Sequence, residues 1–144
     1  MKVIVQRSLN SSVEVDKKIV GKIKNGMVLL VGFNKADTKE NVDYMVNKII
    51  NLRIFDDENG IMNKSIKETD GEILSISQFT LYGDTKKGNR PSYINAMKND
   101  EAIKLYNYFN EQLNNHIKTE TGIFGSDMKV NIINDGPITI ILER

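Results

Sequence analysis

The chain has no cysteine and a single histidine, His116. The first absence removes disulfides, thiolate nucleophiles and every cysteine-based metal site. The second removes multi-histidine metal sites within one chain, and any Ser-His-Asp triad would have to run through His116. An excess of one charge is missing too. Lys and Arg number 20 against 19 Asp and Glu, for a net charge of +1, so no global electrostatic footprint marks a nucleic-acid binder and any RNA contact must come from a local patch. The visible cluster is Lys86-Lys87-Gly88-Asn89-Arg90, which on spacing alone reads equally well as a solvated loop. Long hydrophobic runs are also lacking. Met27 to Val31 and Ile138 to Leu142 are far too short to cross a bilayer, and Met1 to Arg7 reaches charge and polarity too soon for a signal peptide. The expected location is cytoplasmic. Repeats, low-complexity tracts and linkers are absent, and 144 residues with 40% hydrophobic and 27% charged side chains suit one compact domain over 1–144.

What is present reads first as β structure. Lys2 to Arg7 is a short apolar strand; Ser12 to Val15 alternates before a turn at Asp16-Lys17-Lys18, and Ile19 to Ile23 returns as its hairpin partner. Asn25-Gly26 is a turn signal leading into Met27 to Phe33, a continuous apolar run of the kind a buried central strand carries. Asp37 and Glu40 have capping-box spacing, and Val42, Met45, Val46, Ile49 and Ile50 recur at helical period. Asp56 to Gly60 is turn-rich but lacks the ligand spacing and closing glutamate of a calcium loop. Glu72 to Leu81 predicts a strand, followed by a loop from Tyr82 to Pro91. A second helix starts at Asn99 or Asp100, with Ala102, Leu105, Tyr106, Phe109, Leu113 and Ile117 on its buried side. Met128 to Ile133 and Ile138 to Leu142 predict two last strands, joined by a turn at Asp135-Gly136-Pro137. The order suggests an α/β layered sandwich of twisted sheets with two main helices.

Chemistry has few places to sit. His116 lies among polar neighbours near a helix end and reads as an exposed residue favoured by the helix dipole. Strand alternation places Ser77, Phe79 and Leu81 on one face and Gln78 and Thr80 on the other. Amides and hydroxyls there could bind a polar, uncharged group, or could be the solvated face of an edge strand. Asn134 to Thr139 carries Gly136-Pro137, which by itself is an ordinary turn.

Taken together, these two runs resemble the D-aminoacyl-tRNA deacylase (D-tyrosyl-tRNA deacylase) family. Ser75 to Leu81, with Ser77-Gln78-Phe79-Thr80 at its centre, matches one family motif, and Asn134 to Thr139 matches the other. Gln6-Arg7, Arg53-Ile54-Phe55 with Gly60 to Asn63, Lys86 to Ser92 and Thr121 to Met128 also match. Ser126 stands where alanine is the more usual residue. The resemblance covers essentially the whole chain and implies that family's fold.

It also implies a homodimer with active sites along the interface, acting on the 3′ end of aminoacyl-tRNA without metal or other cofactor. Gly136-Pro137 would be a cis peptide inserted into the partner's site, where flanking carbonyl oxygens point the same way, gauge the substrate α-amino group and leave no room for an L side chain. Arg7 would steady this dipeptide with its planar fork of donors, and Phe124 and Met128 join it as substrate-binding positions. Ser77 and Gln78 would shape an adenosine pocket, with Phe79 packed on or beside the base. N–H groups near Phe79 and Thr80 would form an oxyanion hole. Thr80 is either a nucleophile or, on the favoured reading, an orienting hydroxyl, with the terminal ribose 2′-OH assisting the attacking water. By the same steric logic glycyl-tRNA is a further expected substrate. The rivals are a nucleic-acid-binding module of the same fold and a proofreader of L-amino acids with a trans Gly-Pro peptide.

Overall fold

The computed structural model describes residues 1–144. Eight strands and two helices follow in the order β1 (Lys2–Val15), β2 (Lys18–Lys22), β3 (Asn25–Gly32), α1 (Lys39–Ile50), β4 (Phe55–Asp56), β5 (Met62–Lys64), β6 (Glu72–Ser77), α2 (Asn99–Asn114), β7 (Thr119–Thr121) and β8 (Lys129–Glu143). The main sheet runs β2-β1-β3-β6-β7, and β8 adds to the other side of β1. β3, β6 and β7 are parallel neighbours while β1 is antiparallel to β2, β3 and β8. β2 and β7 approach one another, so this mixed sheet nearly closes. The expected α/β architecture with two helices is the one found. β4 and β5 form a small separate hairpin, which no sequence pattern announced, and β7 is likewise too short to signal itself.

α1 forms where the apolar stripe predicts. Val42, Met45, Val46, Ile49 and Ile50 are its buried face, and side chains of this size are each worth about 1.5–3 kcal/mol when fully buried. Its start differs from the expected cap. Thr38 is the N-cap, and Asn41 Oδ1 accepts from Thr38 N at 2.9 Å and Thr38 Oγ1 at 3.0 Å. Asp37 is instead buried, accepting from the Met1 amino group at 2.5 Å and from Asn34 N at 2.7 Å. A carboxylate with a cation and an amide within reach satisfies its charge there rather than by capping.

The core lies in two parts. Under the helices, Val3, Val5, Met27, Leu29, Val31 and Ile73 meet α1 and the α2 residues Ala102, Tyr106, Phe109 and Leu113. On the opposite side of the sheet, Val13, Ile23, Val28, Leu74 and Ile76 pack together. β3 therefore faces apolar surroundings on both sides, which accounts for its unbroken hydrophobic run. Tyr106 donates from its hydroxyl to Ser75 O at 2.8 Å, and burial pushes its phenol above the usual range.

β1 and β8 are each longer than the pattern suggests. What reads as two strands is one, in both cases. In β1, two residues, Asn10 and Ser11, stand opposite the single Ile132, and Asn10 takes a left-handed φ of 45°. That extra residue turns Val13 onto the face opposite Val3 and Val5. In β8, Asp135 to Ile138 stand opposite the single Arg7, between the pairs Ser8↔Asn134 and Gln6↔Thr139. The three extra residues are again an odd number, so Val130 and Ile132 pack on one core and Ile138, Ile140 and Leu142 on the other. The two strands thus stay in phase while crossing between cores. The anticipated Gly-Pro turn is an outward loop within a continuous strand.

Gly26 holds the parallel seam together. It pairs with Glu72 at φ +139°, and a Cβ there would lie 1.9 Å from the Glu72 carbonyl oxygen. Gly26→Ala is expected to cost about 3 kcal/mol or more, since strain and a backbone clash add. Urea denaturation measures this, and a loss below about 1 kcal/mol would contradict the pairing described.

Candidate active site

β6 ends earlier than the sequence predicts, at Ser77 rather than Leu81. The last ladder bond runs from Gln78 N to Val31 O at 2.7 Å. The chain then tightens into a 3-10 turn over Phe79–Tyr82, with Leu81 N donating to Gln78 O at 3.3 Å and Gly83 N to Thr80 O at 2.9 Å. Strand alternation therefore fails here. Ser77, Gln78 and Phe79 all line one cleft of about 330 Å³, whereas alternation sets Gln78 on the face opposite the other two. The turn wins because β3 ends at Gly32 and gives Phe79 no strand to pair with.

The cleft opens at the carboxyl ends of the parallel strands β3 and β6, the usual place for a site in such sheets. Phe124 and Met128 line it from the β7–β8 connection, as do Gly125, Ser126 and Asp127. Met97, Asn99 and Ala102 line it from the start of α2 and the segment before it. Asp127 is the only ionisable side chain among the lining residues; it sits in a loop without a spacing rule, and Asn99, read from the sequence only as a helix start, opens α2 beside it. Thr80 is exposed and not among the lining residues, but Gln78 Nε2 donates to its Oγ1. His116 is exposed just past the end of α2 and takes no part. No three His, Asp or Glu side chains converge to hold a metal, and no helix is long and apolar enough to cross a membrane.

Arg7, Gly136 and Pro137 lie elsewhere in the chain, at the loop interrupting β8. The Gly136–Pro137 peptide is cis, and both residues are exposed. Arg7 is nearly enclosed, its side chain 11% exposed. Its Nη1 donates to Ile54 O at 3.0 Å and meets Asp56 at 3.2 Å, while Nε pairs with Asp135 at 2.8 Å. Asn134 closes the neck of the loop, donating from Nδ2 to Arg7 O at 3.0 Å and Ile138 O at 2.9 Å. Its Oδ1 accepts from Thr139 Oγ1 at 3.1 Å and from Gln6 Nε2 at 3.3 Å. Gly136 has φ +113°, and a Cβ on it would sit 2.7 Å from Ile138 Cγ1. The site residues thus fall into two groups within one chain, a cleft and a braced, projecting dipeptide.

The chain is similar to known proteins over nearly its whole length. Residues 4–143 match the model of the D-Tyr-tRNA(Tyr) deacylase family. A D-aminoacyl-tRNA deacylase of Flavobacterium psychrophilum (strain ATCC 49511 / DSM 21280 / CIP 103535 / JIP02/86) is 54% identical over 145 residues, covering 99% of this chain and 97% of that one. A solved structure of a c-Myc DNA unwinding element binding protein superposes with a TM-score of 0.95 at 42% identity, covering 100% and 99% of the two chains. A probable eukaryotic D-amino acid tRNA deacylase shares the fold alone, with a TM-score of 0.84 at 18% identity over 98% and 97%. From the cleft at the β6 end to the loop in β8, the chain belongs to the D-Tyr-tRNA(Tyr) deacylase family of hydrolases.

Proposed function

We propose that the protein hydrolyses the ester between a D-amino acid and the terminal ribose of tRNA, and that each active site is completed across a homodimer. Water adds to the ester carbonyl, the bond to the ribose oxygen breaks, and that oxygen leaves as the alcohol with a proton. The observation that carries this reading is the separation of the two groups. Gly136 and Pro137 project from β8, braced by Arg7 and Asn134, and none of them lines their own chain's cleft. A second copy brings them to it.

In that arrangement Ser77 and Gln78 hold the terminal adenosine in the cleft and Phe79 packs beside the base. Phe124 and Met128 close the opposite wall. The 3-10 turn supplies the electrostatics. Its first N–H groups, on Phe79 and Thr80, have no partner within the turn, and two such donors aimed at the carbonyl oxygen act as an oxyanion hole, each worth roughly 3–4 kcal/mol. Thr80 has no base beside it, and its hydroxyl already accepts from Gln78. Its role is to orient the attacking water, with the substrate's ribose 2′-OH assisting. The partner's Gly136-Pro137 meets the α-amino group. With no side chain at Gly136 the backbone comes close, and an L side chain would collide with it, whereas a D side chain points away. Glycine, having no side chain, passes the same test, so glycyl-tRNA is a second substrate. This places the protein in chiral proofreading during translation, in the cytoplasm.

The likeness to the DNA unwinding element binding protein supports a second reading, that of a DNA-binding module. The near-neutral charge weighs against it, because duplex binding draws on a basic surface.

The deciding experiment is hydrolysis of matched D- and L-tyrosyl-tRNA by the purified dimer. Release from the D-ester alone is expected; release from neither, with steeply salt-dependent DNA binding, would move the protein to the second reading. Thr80→Ala should lower kcat about three- to tenfold, the size of one lost orienting hydrogen bond, and complete loss of turnover would instead make Thr80 the nucleophile. Arg7→Lys should lower kcat/KM on the D-ester about tenfold or more. A single ammonium cannot serve Asp135, Asp56 and the Ile54 carbonyl together, and unchanged kinetics would remove Arg7 from the site.

A further inference from the structure

One exposed feature beside the cleft has no role in the reaction so far. Between Tyr82 and Met97 the chain leaves the cleft and returns to it, since Phe79 and Met97 both line the cavity. This strap is fastened at both ends. Asp84 and Ser92 exchange backbone hydrogen bonds of 2.8 and 2.9 Å, Ala96 bridges to Asn34, and Met97 N donates to Phe33 O at 2.9 Å. The strap sets Tyr93 edge-on against Phe79, their ring centroids 5.1 Å apart at 68°. Both rings remain open to solvent at the cavity mouth, at 39% and 54% exposure respectively. The tip of the strap carries Lys86, Lys87 and Arg90, all exposed. The ion pairs of the chain all lie elsewhere, so these three cations stand unneutralised within one loop of an otherwise charge-balanced protein.

We propose that Tyr93 and the Lys86–Arg90 tip form a platform for single-stranded RNA immediately 5′ of the nucleoside held in the cleft. Tyr93 stacks on the base of the preceding nucleotide, and the three cations take phosphates further along the strand. An exposed aromatic beside a row of free cations is the combination that single-stranded nucleic acid uses, a π-face for the base and positive charge for the backbone. A duplex offers no free base face to Tyr93, which commits the platform to an unpaired 3′ end. This rests on the RNA-ester reading for the identity of the strand and extends it from the terminal nucleoside to its neighbours. It also gives a nearly neutral protein the local patch that RNA binding requires.

The test is fluorescence anisotropy of the intact protein with a labelled, uncharged single-stranded RNA ending in CCA, beside a blunt duplex of the same sequence. Tyr93→Ala is expected to weaken single-strand binding about five- to a hundredfold, the range for losing one base–aromatic stack, and Tyr93→Phe to restore it to within about twofold. Replacing Lys86, Lys87 and Arg90 together by alanine should reduce the slope of log Kd against log salt by about two. Tyr93→Ala should lower hydrolysis of D-tyrosyl-tRNA more than hydrolysis of the D-tyrosyl ester of adenosine, which has no preceding nucleotide. Unchanged RNA affinity in a folded Tyr93→Ala protein, equal affinity for the blunt duplex, or an equal loss on the adenosine ester would each overturn the platform. Because binding is read with uncharged RNA, a protein that hydrolyses no D-ester would sink the proposed activity while the anisotropy still decides the platform.

Discussion

Arg7 reaches three separate parts of the chain from one place on β1. Its guanidinium meets the Asp135 carboxylate in the loop of β8, Asp56 in β4 and the carbonyl of Ile54 after α1. A planar fork reaches all three at once, which a point charge cannot, with Nη1 serving Ile54 and Asp56 and Nε facing Asp135 as an ion pair without hydrogen-bond geometry. The consequence is that the four residues looped out of β8 have a fixed root. With Asn134 tying the neck on the other side, the exposed Gly-Pro dipeptide stands on a root fastened at both ends. Chirality can be judged by the backbone only if that backbone does not yield, so the selectivity of the proposed reaction depends on this one cation.

The strands around Arg7 are built to permit the loop. An insertion of three residues in β8 flips the faces of everything beyond it, and without compensation the apolar side chains at one end would face water. The single-residue bulge at Asn10 in β1 makes the matching flip. Each strand then feeds both cores, with Val3, Val5, Ile138, Ile140 and Leu142 on the helix side and Val13, Val130 and Ile132 on the other. The irregularities that form the proposed site and the packing that stabilises the sheet are thus one design. The 3-10 turn after Ser77 belongs to it as well, because β3 stops short and leaves the N–H groups of Phe79 and Thr80 without a ladder partner.

Much of this was legible in the residues. The stripe on α1, the unbroken apolar run of β3 and the buried side of α2 each follow from period and hydrophobicity, which act over many residues and survive local exceptions. What escaped the pattern was set by one or two residues at a time. Asp37 has the right chemistry for a cap, but the Met1 amino group makes it a buried partner. Gln78 alternates on paper, but the end of the neighbouring strand removes the ladder that alternation needs. Asn134 and Arg7 join across 127 positions, a distance over which no local rule operates. Their place in the proposed site entered through the family motifs. Tyr93 carries no motif at all and emerges only when its ring is seen against Phe79.

The central claim is that a cleft from one subunit and a dipeptide from the other make each active site. It is tested most directly by mixing two defective subunits, one with its cleft filled by Ser77→Trp and one with its dipeptide obstructed by Gly136→Ala. In a mixed dimer both lesions fall in the same site and the other site is intact. With random association of two equal subunits, co-refolding should therefore recover about a quarter of the wild-type rate on D-tyrosyl-tRNA. A mixture no more active than the sum of the two variants alone would contradict the shared site.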